Sequence, residues 1–475
     1  MVFSSAIFLF YFLPVFLVIY HVAGHNHKNL LALLASLFFY SWGGPTFIFI
    51  VLASMIVDFG IVRLMQNYDK QSRRKLLISA SVVLNIGLLA YFKYANFFVE
   101  NVNLLLESMG VQALEWIEVA LPIGISFFTF QKLSYSVDVY QRRHKPLNSI
   151  VDYMLFVLLF PQLIAGPIVR YNEIADQLTN RTANYTHHMR FSGMLRFCIG
   201  LAKKLLIANT LGKQVDVVFA MEAAEISTGM AWVAIVAYSF QIYFDFSGYS
   251  DMAIGIGRMM GFKFPENFNN PYISRNITEF WRRWHITLGR WMRDYLYIPL
   301  GGNRVNSKAR LYFNLAVVFV ISGFWHGAAW TFIIWGAWHG LFLIFDRIFL
   351  IKFTDRIGKI PSIALTYFIV LLGWVVFRAE SFGFAIDYIG RMFAFDGKDF
   401  VLYLDNKFWF WLLGGAVFAF LTITAVGRKI EQFFFEKEHT RKEVFPVFAV
   451  CIILLLFSSA SIALGGFNPF IYFRF

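Results

Sequence analysis

"LYFNLAVVFVISGFWHGAAWTFIIWGAWHGLFLIF" (residues 311–345) contains no Asp, Glu, Lys or Arg, and its two apolar runs lie on either side of a glycine-flanked histidine, His326. A helix needs roughly 17–25 mostly apolar residues to cross the hydrocarbon layer, so each run with its flanks is a candidate span. Comparable runs recur along the chain: "AIFLFYFLPVFLVIYHVAG" (6–24), "FIFIVLASMIVDFGIV" (47–62), "LLISASVVLNIGLLAYF" (76–92), "MAWVAIVAYSFQIYF" (230–244), "SIALTYFIVLLGWVVF" (362–377) and "VFAVCIILLLFSSASIAL" (447–464). Of 475 residues, 58% are hydrophobic, 19% aromatic and only 15% charged, and the mean hydropathy is +0.59. Soluble domains carry about 25% charged residues. The pattern therefore predicts an all-α polytopic integral membrane protein with about 10–13 helical elements. It forms one domain over 1–475, with no linker and no solenoid repeat.

The net charge of +13 suits either nucleic-acid binding or cytoplasmic loops. The basic clusters "KQSRRK" (70–75), "QRRHK" (141–145) and "GRKIEQFFFEKEHTRK" (427–442) fall between spans, as the positive-inside rule requires, so no nucleic-acid partner is expected. The first Lys or Arg is Lys28, which puts the N-terminus outside, the segments 66–75, 131–150 and 427–443 inside, and 467–475 at the outer face. The first helix lacks a basic leader and reads as a retained span. Cys198 and Cys451 lie in apolar stretches and read as packing residues rather than as a disulfide or thiolate metal site.

The least membrane-like stretch is 262–310, an expected interfacial or re-entrant segment; from Arg275 to Arg310 it holds eight Lys/Arg and two acids. If residues 279–293 form one helix at about 100° per residue, Arg282, Arg283, Arg290 and Arg293 share one arc with Glu279. Phe280, Trp281, Trp284, Leu288 and Trp291 take the opposite side, with His285 on the border. Such a helix lies at an interface, gripping lipid phosphates, or lines a wet cavity as a wall for a phosphate-bearing substrate.

Three histidines lie in aromatic, membrane-like surroundings: His285, His326 and His339. On one continuous helix His326 and His339 would stand about 20 Å apart and about 220° apart in direction, so they do not share a metal ion. His326 sits where a span ends between Gly323 and Gly327, and irregular backbone at membrane depth is tolerated only around a cavity. His339 lies in a continuous apolar helix and reads as a core residue. Asp245 and Asp251 also have apolar neighbours, and local hydrogen bonding is their expected role. "GIGRMMG" (255–261) is not a dinucleotide fingerprint, because Met260 stands where glycine is needed.

"LPIGISFFTFQKLSYSVDVY" (121–140), "FPQLIAGPIVRY" (160–171), "QIYFDFSGYSDMAIGIGRMMGFKFPENFNNPY" (241–272), "EFWRRWHITLGRWMRDYLYIPLGGNR" (279–304) and "SGFWHGAAWTFIIWGAWHG" (322–340) closely resemble the bacterial branch of the membrane-bound O-acyltransferases. Within that branch they are most similar to alginate O-acetylation membrane proteins. The resemblance runs almost the whole chain, in order and at family spacing; only "TLGRWM" departs slightly from the usual wording. It implies a ring of tilted helices around a central tunnel. It also implies His326 as the essential histidine and general base, and His285 as a second active-site polar residue.

The chemistry agrees: an imidazole with a reference pKa of about 6.5 can take a hydroxyl proton, and a thiol of about 8.5 leaves readily. The implied co-substrate is acetyl-CoA or another acyl thioester, with Arg282, Arg283, Arg290 and Arg293 as candidate phosphate contacts and no permanent cofactor or metal. The chain ends "GGFNPFIYFRF" (465–475), whose F-x-Y-x-x-F at 470–475 resembles the C-terminal motif of related cell-surface acyl-transfer systems. That makes Tyr472 a candidate acyl relay; as a bare sequence it reads equally as an aromatic anchor. The implied setting is a bacterial inner membrane, with membrane lipids around the chain. An extracytoplasmic SGNH-hydrolase-like acetyltransferase would be the partner that places the acetyl group on a polysaccharide. D-alanyl, lipid or protein acyl transfer, and a non-enzymatic polymer-precursor transporter, are the alternatives.

Overall fold

The structure is a computed structural model that describes residues 1–464. Tyr472 and the 470–475 tail lie outside the described residues. Within them the chain has 22 α-helices and no strand. Many helices are shorter than a span and several are joined end to end through π turns, so the elements outnumber the 10–13 expected. Seven are long and apolar enough to cross a membrane: Phe47–Gln66, Gln71–Ser108, Lys308–His326, Trp330–Ile357, Lys359–Arg378, Asn406–Ile423 and Arg441–Ala463; Phe8–Val22 is a shorter apolar helix. The protein is a multi-pass membrane protein.

The chain forms two compact units. The first comprises Met1–Val2, Ile7–Tyr185 and Met260–Pro265; the second comprises Phe3–Ala6, Thr186–Met259 and the chain from Glu266 onward.

In the first unit, Phe47–Gln66, Gln71–Leu89 and Ile125–Tyr140 pack against one another. Asp58, fully buried on the first of them, accepts hydrogen bonds from Ser81 Oγ at 2.5 Å, Asn85 Nδ2 at 2.9 Å and Tyr153 OH at 2.6 Å. Lys132 Nζ donates to Ser54 Oγ at 3.0 Å nearby. In lipid, apolar contact alone scarcely drives helices together, so a hydrogen-bonded polar cluster of this kind fixes the pairing.

In the second unit, the 32-residue helix Thr228–Met259 is buried on nearly every face, as expected of a helix apolar all round. It meets His187–Ala202 backbone to backbone. A Cβ on Gly200 would stand 2.5 Å from the Gly248 carbonyl oxygen, and one on Gly193 would stand 2.6 Å from that of Gly255. Gly255, from the "GIGRMMG" stretch, thus serves helix packing. Cys198 and Cys451 are both free and share a small apolar cluster with Leu195 and Val447.

Candidate active site

The site grows from a helix that stops. Ser307 caps the start of Lys308–His326 by accepting from the Arg310 amide at 3.2 Å. Three small residues, Gly327-Ala328-Ala329, then carry the chain into the next helix, Trp330–Phe345. The two helices approach so closely that a Cβ on Gly323 would lie 2.2 Å from the Phe332 carbonyl oxygen, and one on Gly336 would lie 2.3 Å from that of Phe319. This contact leaves His326 on the last turn of its helix and buried. Trp325, Trp335 and Phe377 surround its ring, with centroids 4.9, 5.1 and 5.6 Å away.

His285 arrives from a different element. The single helix expected over 279–293 is two helices, Ile277–Arg283 and Ile286–Met292, and His285 stands between them with φ +43° and ψ +53°. That left-handed backbone is sparsely populated for residues other than glycine. The segment holding Asn267 and Asn269 enforces it: the Ile286 amide donates to the Asn267 carbonyl at 2.9 Å, and the Asn269 amide donates to the Arg283 carbonyl at 2.9 Å. The break brings the His285 ring to 6.5 Å from that of His326, edge-on to Phe246 at 4.7 Å.

Asn267 also sets the His285 tautomer. Its Oδ1 accepts from Thr287 Oγ1 at 2.8 Å and lies 3.4 Å from the Thr287 amide, while its Nδ2 donates to Ser250 Oγ at 3.0 Å. A backbone N–H can only donate, so the oxygen must face this side, and His285 Nδ1, 3.0 Å away, must carry the proton. His285 Nε2 is therefore the lone-pair nitrogen, and it has no hydrogen-bond partner among the described residues. Burial, and secondarily His326, hold the His285 imidazole well below its ordinary range, so the ring is neutral at physiological pH.

His339 is fully buried on the helix that follows His326. The Trp335 indole packs against both histidines, 5.1 Å from each ring.

A cavity of about 830 Å³ adjoins the His285 segment, which contributes Ile286 and Phe268 to its wall. Its charged lining includes Arg196, Lys203, Arg258 and Arg290, with Asp251 and Glu266 among the acids. Arg196 and Lys203 bind Asp251 at 2.7 and 2.6 Å; Arg196 also pairs with Glu266, and Arg258 lies 3.5 Å from the same carboxylate. Asp245 pairs with Lys204. Of the four arginines placed on one arc by the sequence, only Arg290 lines this cavity. Arg283 is bound to Glu279 at 2.9 Å, Arg293 to Asp294 at 2.7 Å, and Arg282 is exposed. The break at His285 divides the arc.

Sequence reasoning missed Asn267, although it lies in the quoted stretch "FPENFNNPY". It also missed the Arg196–Asp251–Glu266 network and the aromatic wall of Trp335 and Phe377.

Together the two imidazoles, one with a defined lone pair, lie buried among aromatic rings, close to a large polar-and-apolar cavity whose wall includes Ile286. Such a site can accept a proton from a hydroxyl and strengthens any charge interaction inside it. Residues 34–358 match the membrane-bound O-acyltransferase family. The chain is similar to the probable alginate O-acetylase of Pseudomonas aeruginosa, with 43% identity over 83% of this chain and 75% of that protein. Its similarity to the corresponding Pseudomonas putida protein is 41% over the full length of both. A peptidoglycan O-acetyltransferase of Helicobacter pylori is 38% identical over 84% of this chain and 80% of that protein.

Proposed function

Because the chain belongs to the membrane-bound O-acyltransferase family, we propose that it moves an acetyl group from a cytoplasmic thioester, acetyl-CoA, through the membrane for O-acetylation of an extracytoplasmic polysaccharide. The observation that carries this reading is the pairing of His326 and His285, 6.5 Å apart, beside a cavity with cationic and apolar walls. In the proposed step a hydroxyl oxygen attacks the thioester carbonyl carbon while His326 takes the hydroxyl proton. The C–S bond then breaks, and the thiolate leaves with that proton. The single hydroxyl proton goes to His326, so His285 Nε2 accepts a hydrogen bond from an amide N–H of the bound thioester donor and orients it. Arg290, with Arg196, Lys203 and Arg258 behind it, faces the phosphates of the donor; Arg282, Arg283 and Arg293 would act at the rim.

Tyr472 is the proposed nucleophile. Its ester has a phenol leaving group of pKa about 10, so the acetyl group remains transferable to an SGNH-hydrolase-like partner outside a bacterial inner membrane. Intact and peptide mass spectrometry after incubation with acetyl-CoA tests this relay. The expected result is one acetyl group on Tyr472, absent in Tyr472→Phe. Continued turnover of acetyl-CoA with Tyr472 bare would overturn the relay and leave the tail an anchor. Exclusive use of a D-alanyl thioester would reassign the donor.

Asn267 is a positioning residue in this scheme. Asn267→Asp keeps the acceptor for His285 Nδ1 and adds a negative charge beside the ring. An adjacent opposite charge raises an imidazole pKa by about 1–3 units, so more of the ring is protonated at a given pH. The acid limb of kcat/KM should move to higher pH, with activity recovering as pH rises. Asn267→Leu should lower kcat without that shift. An unmoved limb in Asn267→Asp would remove His285 from the mechanism.

A further inference from the structure

The first two helices of the first unit, Phe8–Val22 and Lys28–Ser41, form a hairpin. Between them lies a groove of about 460 Å³ walled almost wholly by apolar side chains, among them Phe12, Phe16, Leu34 and Phe38. Tyr11, Val15, Ile19 and Phe38 line it and are exposed, so the groove opens outward. Its lining on the first helix runs from Ile7 to Tyr20, about 20 Å at 1.5 Å per residue. That exceeds one leaflet, half of a hydrocarbon layer of about 30 Å.

Tyr20 and Leu31 close the groove at the turn of the hairpin. At the same end a second cavity opens, about 1170 Å³, among helix ends and connecting segments. His25, Lys28, Arg143, His144, Lys145 and Arg181 line it, against the acids Asp152 and Asp176. Some of this charge is committed. Arg143 faces Asp138 at 3.3 Å, and Arg181 donates to Tyr20 OH at 2.8 Å and Asn29 Oδ1 at 2.7 Å. Asp152 accepts from Asn29 at 2.6 Å.

Lys28 is different. It is only 6% exposed, and among the described residues no carboxylate lies within ion-pair reach of its ammonium, which stands 4.0 Å from the Tyr185 ring centroid and 5.2 Å from that of Tyr20. A buried cation without a counter-ion is costly. Lys145, on the rim, likewise has no ion-pair partner among the described residues.

A leaflet-length apolar groove that ends at an excess of positive charge is complementary to one class of molecule. We propose that the hairpin binds an anionic phospholipid, one acyl chain lying along the groove and the headgroup phosphate resting against Lys28 and Lys145. The site is in the first unit and is independent of the acyl-transfer reading.

Native mass spectrometry of the full chain, equilibrated with equal amounts of phosphatidylglycerol and phosphatidylcholine, tests it. Phosphatidylglycerol should be retained preferentially. Lys28→Gln and Lys145→Gln should each lower its retention about five-fold, the effect of one cation near a lipid phosphate. Ala35→Trp, which fills the groove and leaves the cations in place, should lower it further, while Lys70→Gln, at an exposed position that lines neither cavity, leaves it unchanged. Lys145 is on the surface, so its variant reads the headgroup contact without disturbing folding. Equal retention of the two lipids would overturn the proposal, as would unchanged retention in all three site variants. Displacement of the lipid by chainless glycerophosphoglycerol at equal concentration would assign the cavity to a soluble phosphate instead.

Discussion

His326→Ala should remove thioester turnover by purified protein, lowering kcat/KM by about 10²–10⁴-fold, the usual contribution of a positioned acid–base group. Release of free thiol from acetyl-CoA, followed with a chromogenic thiol reagent, reads the effect directly. His326 is buried among Trp325, Trp335 and Phe377, so thermal unfolding in detergent is followed beside turnover. His326→Gln keeps a polar side chain of similar reach but no ionisable nitrogen, and should be equally inactive. Turnover in His326→Ala at the wild-type rate would remove His326 as the base, whereas no thioester turnover by either protein would return the transporter reading. Loss of both turnover and fold would make the residue structural.

Gly323→Val is the second large effect, on stability instead of chemistry. Even the Cβ alone would stand 2.2 Å from the Phe332 carbonyl oxygen and 3.1 Å from the Gly336 backbone, and a helix backbone cannot give way as a flexible side chain can. Overpacking a tight contact costs about 1–3 kcal/mol and sometimes more; a clash with main chain belongs at the upper end. Thermal unfolding in detergent should fall by several degrees, with poor recovery of monodisperse protein. Gly60→Ala is the matched control: a Cβ there meets nothing within 4 Å, and alanine favours a helix interior by about 1 kcal/mol. Wild-type melting in Gly323→Val would show that the two helices do not touch at this point.

Spans were legible because a lipid-facing helix must be apolar along its length, and runs such as 362–377 and 447–464 leave no other reading. His326 was legible for a related reason, since glycines on both sides of a histidine at the end of a span mark a break. His285 was named without its geometry being visible. "RRWHITL" has no glycine or proline, and nothing local says that the helix stops there; the stop is imposed by main-chain pairing with Asn267 and Asn269, some sixteen residues earlier. Once it is imposed, a wheel drawn for one helix no longer relates Arg290 and Arg293 to Arg282 and Arg283. Asn267 was hidden for the same reason, since its role depends on what it faces across the fold. Asp58 was passed over as one acid in a long apolar run, because its donors come from one other helix, Gln71–Leu89, and from Tyr153.

That carboxylate has a consequence for biogenesis. As Phe47–Gln66 leaves the insertion machinery, Asp58 enters the bilayer with none of its donors present, at about 2.5–3.5 kcal/mol for a charge at the centre of a helix. Ser81 and Asn85 are synthesised next, on the adjoining helix, and Tyr153 only some seventy residues later. The hairpin formed by the second and third apolar segments is thus the earliest arrangement that shelters the acid, and Tyr153 closes its other oxygen afterwards. The order in which the ribosome delivers these residues is the order in which the membrane will tolerate them.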